Sequence, residues 1–139
     1  MKPTISNMTA VIAALLIVAS AGTAYGKKAC SNSTLQGQYG AVLTGFSGGY
    51  AFAALDTVIA DGAGTLTGGG TIVVNGTATA VPISATYTVN SDCTGTATFS
   101  SGSTQALIIK NDGSEVYILR TGPTDAGTVI SGTAHRLDN

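Results

Sequence analysis

From residue 35 to the C-terminus the chain is a succession of short runs rich in Thr, Val, Ile, Ala and Tyr, each cut off by a turn. Asp61-Gly62, Asn75-Gly76 and Asp112-Gly113 are among the cuts. Asn-Gly between two apolar runs is the strongest short-range hairpin signal, because its tight turn needs positive φ at both central residues. No stretch sustains a 3.6-residue apolar period, so the pattern predicts an all-β chain of hairpin-linked strands.

The runs can be placed one by one. Residues 35–46 set Leu35, Gly37, Tyr39, Ala41 and Leu43 on one face against Gln36, Gln38 and Gly40 on the other, a half-buried strand. Residues 50–60 are apolar on both faces apart from Asp56 and Thr57. Residues 65–74 contain Gly68-Gly69-Gly70, expected to mark a bulge or sharp bend. Residues 77–89 contain Pro82, which cannot be an interior ladder member. Four more runs, 94–100, 104–110, 115–121 and 128–136, complete eight or nine strands pairing neighbour to neighbour. An open meander of that size exposes two long edges, so closure into an up-and-down barrel is the expected architecture. A two-sheet sandwich is the alternative, with the loops at 47–49 and 121–127 crossing between sheets.

Ahead of this domain lies one apolar run at residues 11–21, preceded by Lys2 and followed by small residues. It has signal-peptide length and falls short of the roughly 20 apolar residues of a bilayer span. Small residues allow cleavage after Ala21, Ala24 or Gly26, so 1–26 is expected as a leader and 27–139 as a single domain. Cys30 follows Lys27-Lys28-Ala29, which is not a lipidation box. Export to a periplasmic or extracellular compartment follows, with no membrane contact after cleavage.

An oxidising compartment makes a Cys30–Cys93 disulfide the leading reading of the two cysteines. The loop it closes is long enough for the chain-entropy model to give about 4 kcal/mol. Zinc ligation is the weaker alternative, since two cysteines and the distant His135 do not complete a set. Only 9% of residues are charged and the net charge is −1, falling by one when Lys2 leaves with the leader. A nucleic-acid partner is excluded for want of a basic stripe, and disorder is disfavoured because 44% of residues are hydrophobic.

Few residues offer chemistry. His135 is the single imidazole and sits beside Arg136 near the C-terminus, so a surface role is expected of it. Asp61, Asp92 and Asp112 lie in turn sequences, where Asp bonds its own backbone. Residues 62–70 are glycine-rich without the Gly-Lys-Ser/Thr of a phosphate loop, and the lone Asp there is too few for calcium. Asp56 is the unusual residue: by alternation it shares a face with Phe52, Ala54 and Val58, as Arg120 does with Val116 and Ile118. An interior pair or pocket of Asp56 and Arg120 is the speculative site; the bland reading turns both outward at strand ends.

The opening Cys30-Ser-Asn-Ser-Thr-Leu-Gln-Gly-Gln-Tyr-Gly40 resembles a family of small, exported, uncharacterised bacterial β-proteins that begin Cys-Ser-x-x-Thr-Leu-x-Gly-x-Tyr-Gly. The likeness continues through Phe52-Ala53-Ala54, Asp61-Gly62-x-Gly64-x-Leu66-Thr67-Gly68 and Tyr87-Thr88-Val89-Asn90-x-Asp92-Cys93-Thr94-Gly95-Thr96-Ala97. It ends in Gly127-Thr128-Val129-x-Ser131-Gly132-Thr133-Ala134. The resemblance implies that both cysteines belong to one pattern and supports their bridge, but it brings no activity and no catalytic residues. The general shape it suggests is a barrel of lipocalin or allene-oxide-cyclase type. Asp56 departs from the pattern, which has a small residue there, often Gly.

The leading functional expectation is an exported, non-enzymatic barrel that binds a small apolar ligand or a protein partner, without a cofactor. A structural or adhesive surface subunit is the alternative, and a barrel-mouth isomerase or cyclase the third reading. Residues 50–60 and 104–110 carry apolar side chains on both faces, so an outer apolar patch is expected to drive self-association or meet a partner.

Overall fold

The computed structural model describes residue 26, residues 28–123 and residues 125–137. The leader expected over 1–26 lies outside the described residues except for Gly26. A short 3₁₀ turn, Asn32–Thr34, precedes eight strands: β1 (Gln36–Ser47), β2 (Tyr50–Asp61), β3 (Thr65–Val74), β4 (Thr77–Val89), β5 (Thr94–Phe99), β6 (Thr104–Ile109), β7 (Glu115–Gly122) and β8 (Val129–Arg136). Each pairs antiparallel with the next, and β1 pairs with β8 from Tyr39↔Arg136 to Phe46↔Val129. The barrel is therefore closed, and the sandwich alternative is set aside.

The turns obey their local chemistry. Asn75 (φ 48°) and Gly76 (φ 79°) make the two-residue turn between β3 and β4. Asp61 Oδ1 accepts the amides of Ala63, Gly64 and Thr65 at 2.8–2.9 Å. Asp92 accepts from Thr94, and Asp112 from Ser114, in the same manner. These bonds favour the ionised form and hold all three carboxyls below their ordinary range.

The expectation for the glycines is corrected, and that for Pro82 holds. Gly68-Gly69-Gly70 forms no bulge: β3 stays in register with both neighbours along its length. These glycines serve close approach instead, since a methyl at Gly68 would collide with the Thr57 carbonyl on β2. Pro82 does not interrupt β4, which runs through it opposite Gly69. Its missing N–H faces the β5 side, where pairing begins only at Ala85↔Phe99, so Pro82 occupies a local edge. Among the described residues the one irregular register lies between Thr104 and Gln105 on β6.

One end of the barrel is sealed. Cys30 is bonded to Cys93, in the β4–β5 turn, and its amide donates to the Ser91 carbonyl. Tyr87 Oη donates to the carbonyls of Leu35 (2.7 Å) and Asn32 (3.1 Å), Asn32 Oδ1 accepts from the Val89 amide, and Arg136 Nη2 donates to the Thr34 carbonyl. Tyr39 Oη donates to the Gly113 carbonyl at 2.7 Å. Residues 30–35 thus form a plug above which Leu35, Tyr39, Tyr87, Val89, Ile109 and Val116 fill the interior. Burial pushes the Tyr87 phenol above its ordinary pKa, which keeps it a donor to the plug. No helix among the described residues is long and apolar enough to cross a membrane.

Candidate ligand cavity

An eight-stranded barrel has an interior just wide enough either to be filled by side chains or to hold one small ligand. Here the two outcomes are stacked. Large side chains crowd the plugged end, whereas midway up the wall four of the buried inward positions, Ala41, Ala54, Ala97 and Ala134, carry only a methyl. Alanines cannot reach the axis, and a cavity of about 550 Å³ remains beside them, its lining reaching down to Leu35 and Tyr39. Its walls are mainly apolar, with Leu43, Phe52, Ile72, Phe99, Leu107 and Ile130 among them. That volume falls within the roughly 300–1,000 Å³ of small-molecule pockets.

Unequal strands make the mouth. β2, β3 and β4 are 12, 10 and 13 residues long, while β5 and β6 have six each. The upper part of β4 therefore rises past the β5–β6 hairpin without a partner on that side. Val81, Pro82 and Ile83 line the cavity there, facing Ser100, Ser101 and Ser103 of the hairpin. The mouth is apolar on one flank and hydroxylated on the other.

Asp56, Arg120 and Gln105 are the longer polar side chains in the lining. Asp56 is on β2, flanked by the inward Ala54 and Val58, and opposite Gly70 on β3. A β-carbon at Gly70 would occupy the space of the Asp56 carboxylate, so the glycine makes room for it. Asp56 Oδ1 is buried with no hydrogen-bond partner among the described residues, and burial raises its pKa above the ordinary value. Arg120 on β7 stands opposite Gln105 on β6, both inward. Its Nε is likewise buried and unpartnered among the described residues.

Both residues of the speculative pocket thus line one cavity, but no ion pair joins them; the one ion pair among the described residues is the exposed Lys110–Asp112 contact at 3.8 Å. The cysteines are at the opposite, sealed end. His135 is exposed on β8 outside the wall. Gln105 and the serines of the mouth escaped the sequence reading, because polar residues next to a Ser-Gly-Ser turn look like ordinary hairpin residues. Only the step between β4 and β5 turns them toward a cavity.

The geometry defines a class of molecule: a closed antiparallel up-and-down barrel, plugged at one end, with an apolar cavity open at the other. Comparison of the chain with known family models, with curated proteins and with solved structures finds no match to any of them.

Proposed function

We propose that the chain is an exported, non-enzymatic binding protein that takes a small, mainly apolar ligand into the barrel. The observation that carries this reading is the cavity itself: apolar walls around about 550 Å³, sealed below and open above. Burying apolar ligand surface in such a space provides roughly 25 cal/mol per Å² removed from water. The disulfide is compatible with an oxidising compartment. A water-filled rather than lipid-embedded setting is favoured by the outward residues of β3–β5, among them Thr65, Thr67, Thr86, Thr88, Thr96 and Thr98. A membrane barrel needs an apolar band all around and a polar lumen, and this barrel has the reverse on that side.

The structural-subunit alternative has less support, since pairing of β1 with β8 leaves no open edge for a donor strand. Acyl-transfer or hydrolytic chemistry would have to recruit His135, which lies outside the wall, away from the mouth serines.

The test is titration of the exported protein with N-phenyl-1-naphthylamine, a neutral apolar fluorophore. Saturable enhancement with micromolar affinity is expected, weakened at least tenfold by Ala54→Phe, which projects a ring into the cavity. Absence of saturable binding to the wild type would overturn the reading.

A further inference from the structure

Two charges of opposite sign stand in one apolar cavity without pairing with each other. Each is half-buried and leaves one buried polar atom, Asp56 Oδ1 and Arg120 Nε, without a partner among the described residues, and stability alone would be served by an apolar residue at either position. The wall nonetheless accommodates both. Gly70 gives up its side-chain space to the Asp56 carboxylate, and Gln105 stands in register beside Arg120 at the hydroxylated flank of the mouth. The two groups are three strands apart around the barrel, β2 and β7 being separated by β1 and β8. The wall between them presents Leu43 and Ile130, both buried and both in the lining.

Resting on the binding-protein reading, we infer that the cavity is built for a ligand with an apolar body and two polar ends: an acidic group for Arg120 and a cationic or hydrogen-bond-donating group for Asp56. A guanidinium is suited to a planar acid, which it can grip with two parallel hydrogen bonds. A buried carboxylate accepts only, so its complement is a donor. The apolar stretch between them sets the order along the ligand, with polar ends and a hydrocarbon middle. A simple apolar acid would leave Asp56 unanswered, and a simple amine would leave Arg120 so.

The experiment displaces N-phenyl-1-naphthylamine with four compounds of one chain length: 12-aminododecanoic acid, dodecanoic acid, dodecylamine and 1-dodecanol. The amino acid is expected to displace the probe at a concentration at least tenfold lower than the alcohol, with the acid and the amine between them. Asp56→Asn should erase the advantage of the amine and spare that of the acid; Arg120→Gln should do the reverse. Equal displacement by all four compounds would overturn the inference while leaving the apolar-binding reading intact. Displacement by none while the probe binds would likewise overturn the inference alone; failure of the probe to bind would overturn both. Should a variant not fold, the wild-type ranking alone decides.

Discussion

Asp56 costs this barrel stability at neutral pH. Burial raises its folded pKa above the unfolded value of 3.8, so its ionised form opposes folding. As pH falls through the folded pKa, protonation relieves that penalty and the protein gains stability. Asp61, Asp92 and Asp112 behave oppositely. Their folded values lie below 3.8, so their contribution is intact above that pH and is lost only as pH falls through the lower folded values. Urea midpoints measured from pH 7 downward should therefore rise for the wild type before falling in strong acid. Asp56→Asn should be the more stable protein at pH 7 and lack the rise. A wild type that only loses stability on acidification would contradict this.

Cys93 carries a second residue-scale cost. It adopts φ 68°, the left-handed region that Gly102 (φ 88°) and Gly113 (φ 68°) take in the following two turns. A side chain there costs about 1 kcal/mol, which the bond to Cys30 offsets. With the bridge removed, the paired substitution Cys30→Ala with Cys93→Gly should be about 1 kcal/mol more stable than Cys30→Ala with Cys93→Ala. Equal urea midpoints for the two would refute the strain.

At the scale of elements, the plug is the feature on which the sealed end depends. Tyr39 and Tyr87 each send a phenol hydrogen to a main-chain carbonyl that has left the ladder. Tyr87→Phe should cost about 1–3 kcal/mol, because it strands the buried Leu35 carbonyl. Amide exchange should quicken first at the plug and the β4–β5 turn, leaving β1–β2 protected; uniform loss of protection would show that the plug is not a separate unit.

The strands and turns were legible because each is announced locally, by period-two alternation and by Asn-Gly or Asp-containing corners. Which side of β2 faces inward was not legible: alternation puts Phe52, Ala54, Asp56 and Val58 on one face, but Leu55 and Ile59 make the other face apolar as well. The behaviour of Gly68-Gly69-Gly70 was not legible either, since a glycine that bends a strand and one that admits a neighbouring backbone look alike in sequence. That Pro82 is no interior ladder member was legible, but the reason, that β5 is too short to reach it, was not. The cavity mouth joins β4 to the β5–β6 hairpin by a difference in strand length, which no local window contains.

At the scale of the molecule, the outer surface is divided. In register across β6, β7, β8, β1 and β2 lie Ile108, Tyr117, Thr133, Val42 and Leu55, flanked by Leu119, Val129, Phe46 and Ile59. Leu55 is 66% exposed and Ile108 60%. The inward partners expected on the same strands, Leu107 and Ile109, are buried, so the barrel hides one apolar face and presents the other. We propose a second copy of the same row as the occupant, since a chain with so few charges offers little repulsion. Sedimentation velocity should show concentration-dependent dimers, dispersed by Leu55→Lys with Ile108→Lys. A wild type that remains monomeric at high micromolar concentration would rule this out.

Both ends of the described domain leave the barrel at the plugged pole: Lys28 lies beside Asn111 and Arg136, and the Leu137 amide bonds the Gln38 carbonyl at the start of β1. The cup therefore has a handle and a lip at opposite poles. A segment that continues directly from Lys28 or Leu137 starts at the handle, at the pole away from the lip.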